Sequence, residues 1–290
     1  MKAAEQMKIK AIVPWFGGKR NLASRIVELL GKHRIYWEPF CGSMAVLMAK
    51  PSCVMETVND LHGDLINLAK VVQDQRLGPQ LYRRLRRTFM CELLFRESAD
   101  RHRNRTKYKP IDKIDIDRAY DYFICAWLGR NGVLGTKSYS YGFCVRYTGN
   151  GGHAAKRFHS AIHSIPKWRS RLANVTILQR DAFGLLERIE DKRGTVMYID
   201  PPYLVKGAKY IHDFEDADHA KLAQILNRFK ETRIVVSYYY DERLKEMYPR
   251  WCQHEILVSK ALANQGSRGS KDVRVKEVLL VNQLEEGLFN

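Results

Sequence analysis

The apolar run Val196-Met197-Tyr198-Ile199 leads without a break into Asp200-Pro201-Pro202-Tyr203, and this junction constrains the chain more than any other stretch. A buried strand that ends in an acid, two rigid residues and an aromatic presents them together at the carboxyl edge of a sheet, where open α/β folds bind ligands. Asp200 precedes a proline and is pushed towards an extended conformation. Pro201 and Pro202 fix their own φ and donate no N–H, so their carbonyls face outward as acceptors. Tyr203 adds a flat amphipathic face. An acceptor-rich rim beside an aromatic plate suits a planar ring with an exocyclic amino group, and a nucleobase fits that description. The four residues alone also allow a plain Pro-Pro turn, in which Asp200 is a local cap and Tyr203 packs at the edge.

The chain has 290 residues, enough for one large domain or a domain with a sizeable insertion. Lys and Arg outnumber Asp and Glu by 49 to 32, a formal charge of +17 that favours a polyanionic partner such as nucleic acid. The six cysteines (Cys41, Cys53, Cys91, Cys125, Cys144, Cys252) are scattered without a Cys-x-x-Cys pair. Neither a zinc site nor a disulfide scaffold is therefore expected, and a reducing cytoplasm is the expected setting. No stretch approaches membrane-spanning length, and residues 1–13 lack a continuous apolar core, so neither export nor anchoring is expected.

Pro14-Trp15-Phe16-Gly17-Gly18-Lys19 reads as a tight turn before a helix patterned on Leu22, Ile26, Val27, Leu29 and Leu30, with Gly31 as its stop. Paired glycines ahead of a helix can receive an anion, reinforced by Lys19, or can simply turn. Ile35-Tyr36-Trp37 is a short strand that runs into the small-residue turn of Glu38 to Val46 and a helix to about Lys50. A second strand, 54–58, ends in Asn59-Asp60 ahead of a helix through Leu65, Ile66, Leu68 and Val71. In doubly wound nucleotide folds a carboxylate about 20 residues beyond the first turn accepts ribose hydroxyls. Asp60 stands in that place relative to Gly42, with helix capping as the other role open to it.

From Gln80 to Pro110 the chain is strongly basic, with Tyr82, Phe89, Phe95 and Tyr108 interleaved, a pattern that suits cations on phosphates above a packed aromatic face. A helix over Tyr120 to Leu128 precedes the loop-rich segment from Gly129 to His153. That segment holds Arg130, Asn131, Lys137, Tyr139, Tyr141, Arg146, Tyr147 and Asn150, types that read base edges and backbones, and it is expected to set specificity. His159 and His163 stand four apart on a helix-patterned stretch, 156–172, as two metal ligands would, but no acid completes a motif, so a solvated or phosphate-facing role is expected. A strand at 175–178 leads to Asp181-Ala182-Phe183 and a helix to Ile189. Asp181 either accepts from an adenine amine, with Phe183 on the ring, or caps that helix. Further strands are expected at 233–237, 253–259 and 275–282, the last two flanking a polar loop at 263–272.

Taken in order, the Pro14 to Lys19 turn, Glu38-Pro39-Phe40-Cys41-Gly42, Asn59-Asp60, Asp181-Ala182-Phe183, Asp200-Pro201-Pro202-Tyr203 and the terminal stretch Lys276 to Asn282 resemble the Dam-type, D12-class adenine-specific DNA methyltransferases over nearly the whole chain. The resemblance implies an α/β fold: an S-adenosylmethionine-dependent, Rossmann-like sheet of parallel strands with a C-terminal antiparallel hairpin. Residues 1–75 and 172–290 would form this catalytic domain, and 76–171 an inserted, mainly helical target-recognition domain. The implied reaction carries a methyl group from S-adenosyl-L-methionine to N6 of adenine in a specific duplex DNA sequence, leaves S-adenosyl-L-homocysteine, and acts on a base flipped out of the stack. By likeness, Trp15, Lys19, Phe40 and Gly42 line the methionine and turn region of the cofactor, Asp60 holds its ribose, and Asp181 with Phe183 holds its adenine. Asp200, Pro201 and Tyr203 grip the target base; Arg130, Asn131, Lys137, Arg146 and Tyr147 are the expected DNA contacts; no metal is needed. The implied setting is a bacterial or phage-encoded monomer acting on double-stranded DNA in the cytoplasm and not at a membrane, with room for a cognate restriction endonuclease as partner.

Two departures stand out. Met44 replaces the second glycine of the usual Phe-x-Gly-x-Gly turn, which suggests a turn built differently or more crowded, and the residues after Val236 read Ser237-Tyr238-Tyr239-Tyr240. Two other readings share these residues: methylation of cytosine N4, whose amine suits the same acceptors, and a DNA-binding protein that keeps the fold without catalysis.

Overall fold

The computed structural model describes residues 11–105, 111–129, 141–145, 153–204, 212–259 and 274–284. In chain order they form α1 (Ala23–Leu30), β1 (Ile35–Glu38), α2 (Ala45–Ala49), β2 (Met55–Asn59), α3 (Gly63–Gln73), α4 (Leu77–Arg86), α5 (Glu92–Asn104), α6 (Ile116–Leu128), α7 (Ala154–Leu172), β3 (Val175–Leu178), α8 (Ala182–Leu186), β4 (Thr195–Ile199), α9 (Asp216–Asn227), β5 (Arg233–Tyr239), α10 (Arg243–Met247), β6 (Trp251–Ser259) and β7 (Arg274–Asn282).

The strands make one sheet in the order β3-β2-β1-β4-β5-β7-β6. The first five are parallel, and β7 runs antiparallel to both β5 and β6. The chain winds outward from β1 to β3, then returns to place β4 against the other side of β1. That reversal opens a crevice at the carboxyl ends of β1 and β4. The Rossmann-like sheet with a C-terminal antiparallel hairpin, expected from the sequence, is thus what the chain forms.

Side chains alternate between the two faces of the sheet, as a pleat dictates, and each face is covered by its own core. Tyr36, Val58, Val196 and Tyr198 join α1, α3, α6 and α7 in one core, while Met197, Ile199, Ile234 and Val236 join α8, α9 and α10 in the other. Every residue of β4 is buried, which explains why its sequence shows no polar alternation.

Residues 76–171 supply α4 to α7. Helix α6 is apolar nearly all round and is buried from Ala119 to Leu128, so it forms the middle of this helical layer. Its Asp121, completely buried, receives Arg101 at 2.9 Å and Arg105 at 2.8 Å, and its Asp117 receives Arg84. Several arginines of the basic run are therefore fasteners between helices, whereas Arg83 and Arg87 are exposed and meet no carboxylate among the described residues. At the far end of α7, Arg171 joins Lys50 on the carboxylate of Glu56 in β2, a buried ionic triad that ties the helical layer to the sheet. No helix among the described residues is long and apolar enough to cross a membrane.

Candidate active site

An open cleft lies at the crevice. Trp15 and Phe16 of the first turn line it, with Pro39, Phe40 and Gly42 after β1, Asn59 to His62 after β2, Ala182 of α8, Asp200 to Pro202 after β4, and His212 and Phe214 ahead of α9.

Its first half is built around Asp60. One carboxylate oxygen accepts from the Gly42 amide and the other from the His62 amide, each at 2.9 Å, so the turns after β1 and β2 are locked together through this side chain. Each oxygen keeps a further acceptor site for a hydroxyl. Burial raises the Asp60 pKa, against the pull of those two amides. Gly42 has φ 42°, and a Cβ there would lie 2.9 Å from Nε1 of Trp15, so the indole packs on bare backbone that no larger residue could supply. Asn59 secures the floor: it donates to the carbonyls of Pro39 and Arg180 and accepts from the Arg180 amide, joining the ends of β1, β2 and β3. His62 caps α3 by accepting from the Leu65 amide at 3.2 Å and meets Trp15 edge-on. Burial lowers its pKa to about 4, so it stays neutral.

Met44 takes a left-handed backbone of the kind that favours glycine, at φ 59° and ψ 30°, and its side chain is completely buried in the core rather than in the cleft. A left-handed L-residue costs about 1–2 kcal/mol. Burying a methionine returns about 1.5–3 kcal/mol, which offsets that cost without narrowing the cleft.

The second half is built around Asp200. Its Oδ1 accepts from Ser237 Oγ at 2.8 Å and pairs with Lys19 Nζ at 2.9 Å, and Ser237 is hydrogen-bonded in turn to the Tyr198 hydroxyl. Oδ2 is the oxygen with no donor among the described residues, and Asp200 reaches the cleft. Lys19 is 5% exposed, donates to the Gly17 carbonyl and pairs with Glu277 Oε1 at 3.3 Å, 4.9 Å above the Tyr203 ring. The Tyr203 hydroxyl donates to the same Glu277 oxygen at 2.8 Å, and Tyr239 packs edge-on against the ring at 4.5 Å.

Of the residues singled out in the sequence, the cleft brings together Trp15, Phe40, Gly42, Asp60, Asp200 and Pro201. Lys19 and Tyr203 are not among the lining residues; Lys19 pairs with Asp200, and the Tyr203 ring lies beside Lys19. Asp181 caps α8 through the Gly184 amide at 2.8 Å, and Phe183 stacks on Phe214 at 5.3 Å, beside the lining residue Ala182. Arg130, Asn131, Lys137, Arg146 and Tyr147 lie outside the described residues. His159 and His163 are both exposed on α7, and no cluster of His, Cys, Asp or Glu suited to a metal occurs among the described residues. Sequence reasoning missed His62, Tyr198, Ser237 and Glu277. For Ser237 a signal did exist: it is a small polar residue between Val236 and Tyr238 in an otherwise apolar stretch of its strand.

Next to this site Glu38 is 2% exposed and accepts from the Tyr36 hydroxyl at 2.8 Å. Burial pushes its pKa to about 8, with Asp200 adding to the rise and the Tyr36 hydrogen bond opposing it. A carboxyl with a raised folded pKa stabilises below its unfolded value, and that stability drains away as pH rises to about 8. Glu38→Gln is expected to raise the melting temperature at pH 8 by several degrees, at about 2–4 °C per kcal/mol, and to change it little at pH 5. Thermal melts at the two pH values check this.

The fold is similar to that of an rRNA methyltransferase from Streptomyces viridochromogenes, at 15% identity over 96% of this chain and 90% of that one, with a TM-score of 0.40. It is also similar to a precorrin-8W decarboxylase from Methanobacterium thermoautotrophicum, at 11% identity over 91% of this chain and 90% of that one, with a TM-score of 0.37. The family model of the D12 class N6 adenine-specific DNA methyltransferases matches residues 15–264, from the Trp15 that packs on Gly42 to beyond β6. The chain therefore belongs to the D12 class of S-adenosylmethionine-dependent enzymes that methylate N6 of adenine in DNA.

Proposed function

We propose that this enzyme methylates adenine within a specific sequence of duplex DNA, and that the target base is flipped into the rim formed by Asp200, Pro201 and Tyr203. The observation that carries the reading is the arrangement at Asp200: its Oδ1 holds both Lys19 and Ser237, its Oδ2 meets no donor among the described residues, and Asp200 lines the same cleft as Asp60. An aromatic amine is a poor nucleophile while its lone pair is delocalised into the ring. Oδ2 and the Pro201 carbonyl, each accepting an N6 hydrogen, favour a pyramidal nitrogen, so catalysis is mainly orientation and electrostatics.

S-adenosylmethionine, when bound, supplies a sulfonium methyl group. The first half of the cleft fits it: Asp60 offers acceptors for ribose hydroxyls, the Trp15 and Gly42 contact offers a flat wall, and Phe40 closes the side. Asp181 and the Phe183–Phe214 pair would hold the adenine end. In this reading residues 1–75 and 172–290 are the catalytic part, 76–171 the target-recognition part, and Arg130, Asn131, Lys137, Arg146 and Tyr147 the DNA-reading residues. One chain supplies both halves of the cleft, which supports action as a monomer.

The test is to incubate wild type and Asp200→Ala with labelled S-adenosylmethionine and unmethylated DNA, then digest the DNA and identify the modified nucleoside. N6-methyladenine from wild type alone supports the reading, and sequencing the modified sites gives the specificity. N4-methylcytosine would replace adenine by cytosine as target, and unlabelled DNA that still shifts in a gel would leave only a binding protein.

Arg20 follows Lys19 directly; partial desolvation first, and the neighbouring Arg157 cation second, lower its pKa. Arg20 is an exposed cation next to the lysine that pairs with Asp200, a position that suits a DNA phosphate. Arg20→Ala is expected to weaken DNA binding uniformly across sequences and to reduce the slope of log K against log salt by about one. A salt titration of binding checks this.

A further inference from the structure

We infer that Glu277, on the antiparallel strand β7, is a positioning residue for methyl transfer: one carboxylate oxygen fixes both the Lys19 ammonium beside Asp200 and the hydroxyl of Tyr203. The inference rests on the reading that Asp200 and Tyr203 receive the target base. It goes beyond that reading, because Glu277 is not among the residues that line the cleft.

The geometry is specific. Glu277 is 6% exposed and lies opposite Tyr239 in the register of β5 and β7. Oε1 accepts from Tyr203 at 2.8 Å and pairs with Lys19 at 3.3 Å. Lys19 thus has three anchors from three parts of the chain: the Gly17 carbonyl, Asp200 and Glu277. An ammonium has three donors, so this one is fully committed and cannot swing into the cleft. Lys19 in turn occupies Asp200 Oδ1 and thereby dedicates Oδ2 to the incoming amine. Tyr203 has its hydroxyl pinned and its ring backed by Tyr239, so its plane is set before any base arrives. A single carboxylate therefore aligns the acceptor and the stacking face together.

The charged and titratable groups around Lys19 are Asp200 at the end of β4, Tyr203 beyond it, Glu277 on β7, Tyr239 on β5 and, through Asp200, Glu38 on β1. Burial works against the Lys19 charge, and the carboxylates of Asp200 and Glu277 more than restore it, so its pKa stands above the ordinary value. With the Glu277 charge removed, burial is opposed by Asp200 alone, and Lys19 loses its proton at lower pH.

Glu277→Gln keeps the shape and an acceptor for Tyr203 but removes the charge. The expected result is a fall in kcat of roughly 10-fold, little change in the KM for DNA or in cofactor binding, and an alkaline limb of the kcat profile moved to lower pH. A merely structural glutamate would not move that limb. Tyr203→Phe, which loses only the hydroxyl contact, is expected to leave the limb in place. If Glu277→Gln does not fold, the charge-balanced double variant Lys19→Met/Glu277→Gln takes its place and should match Lys19→Met alone in kcat. A wild-type profile in Glu277→Gln, or a further loss in the double variant, overturns the inference. A wild type that forms no N6-methyladenine overturns the underlying reading instead. An active wild type with an inactive Asp200→Asn and an unaffected Glu277→Gln overturns this inference alone.

Discussion

Asp200→Ala is expected to lower kcat by about 100- to 1,000-fold, the range for removing one preorganised polar group from a reacting centre. Equilibrium binding of the cofactor should hardly change, because Asp60, Gly42 and Trp15 are untouched and Lys19 retains Glu277 and the Gly17 carbonyl. Asp200→Asn should be nearly as damaging despite its shape. With its carbonyl oxygen in the Oδ1 place the amide still accepts from Ser237 and Lys19 but turns its NH2 towards the substrate amine, and in the flipped orientation the NH2 faces Lys19 instead, so in either case a donor meets a donor. Single-turnover kinetics with pre-bound cofactor separate the loss of chemistry from any loss of binding. Near-wild-type turnover in either variant would remove Asp200 from the mechanism.

Glu56→Ala carries the largest expected cost in stability. The substitution strands Lys50, whose side chain is fully buried, and Arg171, which is mostly buried, without their shared counter-charge. Breaking a buried ionic group by removing one partner costs about 3–5 kcal/mol, or roughly 6–20 °C in melting temperature for a chain of this size. Burial raises the Glu56 pKa, but hydrogen bonds and charge from Arg171 and Lys50 outweigh it, and the net direction is downward. A depressed carboxyl contributes stability above its unfolded pKa, and the contribution is lost as pH falls through the folded value. The deficit of Glu56→Ala relative to wild type should therefore be full at neutral pH and shrink in acid. Melts across that range test it, and a constant deficit would mean that packing rather than charge is responsible.

The residues legible from the sequence are those whose roles are local. Asp60 and Asp200 were found because each ends an apolar strand, and a strand end at the carboxyl edge of a parallel sheet is a site by construction. Gly42 was found because a small residue in a strand-to-helix turn implies close approach, and Trp15 is what approaches. The residues that were missed owe their roles to pairing across the sheet. Ser237 reaches Asp200 only because β5 lies parallel beside β4, and Glu277 reaches Lys19 and Tyr203 only because β7 is threaded beside β5. Periodicity assigns each of them to a strand but does not say which strand lies next door. The basic run misled in a similar way. Its cations look uniform in sequence, yet Arg101 and Arg105 answer a carboxylate buried 16 or more residues away in α6.

The position of β7 has a consequence for the order of events during synthesis. Strand β6 is made first, but β7 separates it from β5, so neither strand can join the sheet in sequence order. A nascent chain that has emerged only through β5 already holds Trp15, Gly42, Asp60, Asp200 and Ser237, and yet Lys19 lacks one of its two carboxylates and the Tyr203 hydroxyl lacks its bond to Glu277. The late hairpin must arrive as a unit, a slow step of high contact order. On the reading that Glu277 positions Lys19 and Tyr203, the site is therefore complete only once β7 has docked beside β5.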